Sequence, residues 1–199
     1  MLRGAGPSLR CGLRRWGILW RVQAGSRPGG GVFAAADVHY LPSGGARAAA
    51  VVAADATFCH LLADRTGQVA EVEPYQRGQF YLRELPPLHA VLDGLEEMRL
   101  LIVDGYADLD PAGRPGLGAY AHAEFGVPVI GVAKTAFRGA THAVPVIRGE
   151  SSSRPLYVTA TGIPRHDAAD LVRRMAGRYR LPDALRRADA LARGRPPRS

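Results

Sequence analysis

From Gly31 onward, short apolar runs alternate with turn residues, and their period changes along the chain. VFAAADVHYL, the turn Pro42-Ser43-Gly44-Gly45 and ARAAAVVAADATF predict two strands joined as a hairpin. A third short strand is expected near Gln68 to Val72. The next stretch, PYQRGQFYLRELPPLHAVLDGLEEM, reads as a loop and then a helix whose start is restricted by Pro86 and Pro87. LLIVDG (Leu100 to Gly105) and VPVIGVAK (Val127 to Lys134) are apolar enough for buried strands, and the segment between them, Gly116 to Phe125, has a helical pattern. Strand, crossover helix and parallel strand form the expected unit. PLYVTATG predicts one more strand, and DAADLVRRMAGRYRLP with DALRRADALAR predicts two terminal amphipathic helices. The fold class is therefore α/β, a mixed five- to six-stranded sheet flanked by helices.

A length of 199 residues with 47% apolar side chains suits one domain with its own core. Two cysteines, Cys11 and Cys59, are too few for a disulfide framework or a four-cysteine zinc site. No apolar run approaches the roughly 20 residues of a membrane span, so a soluble protein of a reducing compartment, cytoplasmic and without a membrane partner, is expected. The net charge is +8, but residues 1–30 hold six arginines and no acid, which leaves +2 on residues 31–199. That division separates a basic Arg/Gly-rich tail, residues 1–30, expected to be disordered, from a folded unit at 31–195. The tail has the composition of a mitochondrial-type targeting segment, and equally that of an extension read from an upstream start codon. All basic residues but one are arginine, and the exception is Lys134.

Carboxylates at strand ends carry the candidate chemistry. Asp37 interrupts the first apolar strand, Asp104 closes LLIVD, and Glu84 lies in the helical region between them. If the first and fourth strands are parallel neighbours, Asp37 and Asp104 meet at one edge of the sheet and Glu84 closes the cluster from above. Three such carboxylates repel one another unless a divalent cation neutralises them, and oxygen ligands select magnesium or manganese. A metal held there suits phosphodiester hydrolysis, because it lowers the pKa of water and stabilises charge on phosphate. Lys134 follows the strand beside that of Asp104, which brings its ammonium to the same edge.

AAADVHY, PYQRGQFYLRE, LLIVDGYADLDPAGRPGLGAYAH, VPVIGVAK and RPLYVTATG through GRYRLP, in this order, resemble the endonuclease V family. The resemblance runs from about Val32 to Arg193 and implies an RNase H-like fold and cleavage of nucleic acid near deaminated bases. It also implies roles: Asp37 and Asp104 as metal-binding aspartates, Glu84 as the third catalytic carboxylate that also binds metal, and Lys134 as the catalytic lysine. The spacings fit, with 46 residues between Asp37 and Glu84 and 19 between Glu84 and Asp104. Asp55 competes for the first position, but its interval to Glu84 is too short, and a structural role is expected of it. Tyr75 matches the tyrosine of a wedge that enters the duplex beside the lesion, and Gly78 and Arg83 fall at motif positions near the nucleic acid. The implied reaction is magnesium-dependent hydrolysis of the second phosphodiester 3′ to deoxyinosine, with manganese able to substitute, by a monomer acting in DNA repair. It leaves 3′-hydroxyl and 5′-phosphate ends.

The chain departs from the family pattern at four places. The wedge, usually Pro-Tyr-Ile-Pro, is Pro74-Tyr75-Gln76-Arg77. Asp110 stands where a histidine is common, and Ile163 replaces another, with His166 and Asp167 nearby. The family's N-terminal helix is not recognisable in residues 1–30. Two further readings therefore stand beside the first: a related nuclease with altered preference (inosine in RNA, flaps or mismatches), and a nucleic-acid-binding protein without turnover.

Overall fold

Alanine is a poor strand former, yet Ala34, Ala35, Ala36, Ala48, Ala49 and Ala50 are all buried in strands, because small side chains let helices lie close on both faces of a sheet. The computed structural model describes residues 30–74, 76, 79–149 and 152–196. Its strands are β1 (Val32–Tyr40), β2 (Ala46–Ala53), β3 (Leu61–Val69), β4 (Met98–Asp104), β5 (Val129–Ala133), β6 (Val144–Val146) and β7 (Leu156–Thr161). Four helices cover them: α1 (Tyr81–Leu92), α2 (Leu117–Phe125), α3 (Arg165–Arg174) and α4 (Asp183–Ala192). The seven strands run in the order β3-β2-β1-β4-β5-β7-β6. β1, β4 and β5 are parallel, while β2, β3, β7 and β6 join antiparallel on the two flanks. This is the RNase H-like α/β arrangement.

Strand alternation divides the core in two. Ala34, Ala36, Leu101 and Val103 face Leu88 and Val91 of α1 and Ala121 of α2. Ala35, Ile102, Ile130 and Val132 face Val172 of α3 and Leu185 and Ala188 of α4. By the same alternation Asp37, two residues after Ala35, and Asp104, two after Ile102, belong to the α3/α4 side.

Three expectations need correction. The sheet has seven strands, because Val144–Val146 adds a short edge strand on β7. The third strand begins at Leu61 and ends at Val69, well before Val72. It is a mostly exposed edge strand, and its run ADRTGQV, with Asp64, Arg65, Thr66 and Gln68, lacks the alternation that a half-buried strand displays. Helix α1 begins at Tyr81, ahead of both prolines, and carries Pro86 and Pro87 inside it. Packing of Leu88, Val91 and Leu92 into the core outweighs the two backbone donors the prolines lack.

Candidate active site

The β1–β4 ladder sets the site. Its last pair is Ala36 with Val103, so the next residues along the two parallel strands are Asp37 and Asp104, side by side where the ladder ends: Asp104 closes β4, while β1 runs on to Tyr40 paired with β2. Gly105 follows with φ +130°, a conformation that suits glycine and turns the chain across β5. That crossing is tight: a Cβ on Gly131 would lie 2.4 Å from the Ala107 nitrogen. Lys134, one residue past β5, donates its ammonium to Asp104 Oδ2. Arg180, in the loop before α4, donates to the Lys134 carbonyl, and to the Pro155 carbonyl at 2.7 Å. One guanidinium thus ties the end of β5 to the start of β7.

Glu84 reaches the same edge from α1. It is only 6% exposed, and Tyr40 Oη donates to its Oε1 at 2.5 Å. Arg83 stacks on the Tyr40 ring, its guanidinium carbon 4.2 Å from the centroid.

The electrostatics of these groups are joined. Burial pushes Asp37 up to about 7, with the Asp104 and Asp189 charges adding to the rise and Lys134 opposing it. Burial likewise pushes Glu84 up to about 7, against the hydrogen bond from Tyr40, while Asp37 and Asp104 raise it further. For Lys134, burial disfavours the ammonium, but the hydrogen bond and charge of Asp104, with Asp37 and Asp189 beyond, outweigh it and hold the pKa above the ordinary lysine value.

Asp189 is the residue that sequence reasoning missed. Helix α4 packs on β1 and β2, and its carboxyl half brings Asp189 within the field of Asp37 and Lys134. Arg193, one turn on, donates from Nε to Asp189 Oδ1 at 2.9 Å. The available signal was a carboxylate bordering the buried stripe Leu185, Ala188 and Ala192.

The other expected residues fall elsewhere. Asp55 turns into its own loop, accepting from the backbone of Thr57 and His60, both at 2.9 Å. Asp110 accepts from the Ala112 and Arg114 backbone nitrogens at 3.1 and 3.0 Å. His166 and Asp167 are exposed in the first turn of α3, after β7 has run back to pair Thr161 with Val129, the first residue of β5. That is the opposite edge of the sheet from Asp104. Tyr75 and Gly78 lie outside the described residues.

Beside the carboxylates is a cavity of about 300 Å³ whose lining includes Phe80, Tyr81, Tyr106, Leu117 and Tyr120 and reaches Asp104. Tyr81 and Tyr120 stack at 3.5 Å between centroids. Among the described residues, no three acidic, histidine or cysteine side chains close into a ligand cluster. Lys134 engages Oδ2 of Asp104 and Tyr40 engages Oε1 of Glu84, so each carboxylate keeps its second oxygen for a cation. Such a donor set fits magnesium, which keeps several waters and takes only one or two carboxylates beside substrate phosphate oxygens.

The sequence profile of the family described as endonuclease V matches residues 21–150. An endonuclease V of Azotobacter vinelandii is 35% identical over 190 residues, covering 81% of this chain and 82% of its own length. The crystal structure of endonuclease V from Streptomyces avermitilis superposes with a TM-score of 0.67 at 29% identity, over 85% of this chain and 83% of that one. Ciona intestinalis endonuclease V, crystallised with a 24mer DNA containing an inosine followed by a ribo-adenosine, gives a TM-score of 0.70 at 18% identity, over 83% and 85%.

Proposed function

The chain belongs to the endonuclease V family, and on that footing we propose that it is a magnesium-dependent endonuclease that hydrolyses the second phosphodiester 3′ to deoxyinosine in DNA. One observation carries this reading: Asp37 and Asp104 stand side by side where the β1–β4 ladder ends, with Lys134 on Asp104 and an aromatic cavity that reaches Asp104. Residues 31–195 form the catalytic unit, which acts as a monomer, and the products carry 3′-hydroxyl and 5′-phosphate ends.

Asp37, Glu84 and Asp104 would hold the metal, and manganese can replace magnesium because both take oxygen ligands. When bound, the ion supplies a more acidic water and positive charge for the phosphate. The chain's own residues do the rest. Lys134 donates to the scissile phosphate or positions the attacking water, and Arg180 fixes the backbone from which that lysine extends. Tyr40 orients Glu84. Asp189 adds a fourth carboxylate, with Arg193 limiting its repulsion of Asp37. The cavity takes the altered base out of the stack, and its apolar aromatic walls accept a flat purine. Extrusion costs least at a mispaired base, which supplies part of the selectivity. The inosine-containing DNA held by the Ciona relative supports this substrate class. Tyr75, Gly78 and Arg83 contact the nucleic acid.

The test is strand cleavage with magnesium on end-labelled duplex DNA, single-stranded DNA and RNA, each with and without one inosine. Asp37→Asn, Asp104→Asn and Asp189→Asn serve as controls. A cut one nucleotide beyond the inosine, lost in Asp104→Asn, is expected. Cleavage without inosine preference, or preferred cleavage of RNA, would replace the substrate assignment with the altered-preference nuclease. Binding with no cleavage would leave a nucleic-acid-binding protein without turnover.

A further inference from the structure

The small net charge of the body conceals a strong division. Residues 31–164 hold 10 basic and 14 acidic side chains, whereas residues 165–199 hold 10 basic and 4 acidic. The positive surplus therefore lies wholly in the C-terminal segment that includes α3 and α4. Alongside α4 runs a groove of about 770 Å³, lined among others by Leu61, Arg178, Tyr179, Arg186, Asp189 and Arg195. One end is fixed at the start of α4, where Asp183 N donates to the Ala176 carbonyl and Ala176 N to the Thr57 carbonyl. The other end includes Asp189, which faces the catalytic carboxylates. Six residues of α4 separate Asp183 from Asp189, roughly 9 Å, the reach of one or two nucleotides.

The lining combines the two elements that hold a single strand, cations for phosphates and an exposed aromatic face for a base. Tyr179 is 45% exposed and Leu61, beside it in the lining, is also 45% exposed. Arg186 stacks on Tyr179 at 4.1 Å and Arg178 at 5.2 Å, which orients both guanidinium planes. Arg187 is committed to Asp64 through three hydrogen bonds, the shortest 2.6 Å, and Arg186 also meets Asp183 at 3.0 Å. Arg178 and Arg195 have no acidic partner within salt-bridge distance among the described residues.

We infer that this groove is a second nucleic-acid subsite, which binds a single-stranded segment of the substrate strand as it leaves the catalytic edge. Phosphates lie on Arg178, Arg186 and Arg195, and a base takes the place of a guanidinium over the Tyr179 ring. The inference rests on the nuclease reading for the strand's path, but binding tests it separately.

The experiment uses the full chain in EDTA and follows fluorescence anisotropy with a labelled oligothymidylate and a matched abasic strand. The double variant Arg178→Ala/Arg195→Ala is expected to weaken both strands about tenfold and to flatten the salt dependence by roughly 1.4, as for two lost contacts on a single strand. Tyr179→Ala is expected to weaken the thymidylate roughly fivefold or more and to spare the abasic strand, with Tyr179→Phe restoring it. Unchanged affinity and salt slope would overturn the subsite. So would equal losses on both strands in Tyr179→Ala, or competition by polyglutamate as strong as by oligothymidylate, since either describes a general anion surface. Cleavage of a short inosine strand that ends at the catalytic edge is expected to persist in these variants. If the unmodified protein cleaves nothing, the nuclease reading falls while the anisotropy result still decides the groove.

Discussion

Tyr40 donates its hydroxyl to Glu84 Oε1 at 2.5 Å, and it stands three residues after Asp37 on the same strand. β1 therefore supplies one carboxylate of the candidate site and orients another that arrives from α1. The phenol is itself pinned by the Arg83 guanidinium over its ring. Tyr40→Phe keeps the ring and removes only the hydroxyl. Loss of partners that orient metal-binding groups costs about 10- to 100-fold in affinity or activity. We expect kcat to fall by about tenfold and the magnesium concentration for half-maximal rate to rise, with KM for nucleic acid little changed. Steady-state kinetics over a magnesium series checks this, and a change confined to KM would contradict it.

Arg180 acts on Lys134 through the backbone rather than through the side chain. β5 ends at Ala133, so beyond it the Lys134 carbonyl has lost its strand neighbours, and the guanidinium supplies its partner while also meeting Pro155. Both bonds leave one guanidinium nitrogen, Nη2, so removing the side chain frees both carbonyls at once. Arg180→Ala should lower kcat by about tenfold at unchanged KM, in line with a displaced positioning contact. Rates under single-turnover conditions measure it, and equal kcat would mean that β5 holds Lys134 unaided.

Asp37 adds a pH dependence to stability when no divalent ion is present. Its folded pKa, about 7, lies above the ordinary value of 3.8, because burial disfavours the charged form. The folded state then binds the proton more tightly than the unfolded one, so stability falls as pH rises from about 4 to about 7 and levels above that. Asp37→Asn removes this loss. Its melting temperature should exceed that of the unmodified protein at pH 8 in EDTA and converge with it near pH 4. Magnesium should narrow the gap by stabilising the form that binds it. Melting curves across pH, with and without magnesium, decide the matter.

Asp55 offers the contrast between a loop-holding aspartate and those of the candidate site. Its hydrogen bonds with Thr57, first among them the hydroxyl, and with His60 hold its pKa below the ordinary carboxylate value even against burial. Asp55→Ala should cost about 1 kcal/mol of stability through lost loop hydrogen bonds. Activity per folded molecule should stay unchanged. Denaturant titration beside cleavage rates separates this from Asp104→Asn, for which the reverse pattern is expected.

The runs LLIVD and VPVIGVAK declared β4 and β5 by themselves, since a strand buried on both faces needs an unbroken apolar run that few other structures use. The same local code placed Asp37 within the first strand, Asp104 and Lys134 at or just beyond strand ends and Glu84 on a helix. It caught only the end of β3, an exposed edge strand whose sequence has little need to alternate, and did not show β6, only three residues long. Nor did it show Asp189, 85 residues beyond Asp104, which reaches the site because α4 lays Leu185 and Ala188 on the sheet. Tyr40 and Arg180 are of the same kind, each meeting its partner across more than 40 residues of chain. Sequence alone determined which faces must be buried, because the periods of strand and helix are local. Only the tertiary structure decided which polar groups meet at the edge where those faces end, because register and helix packing bring together residues that no local pattern connects.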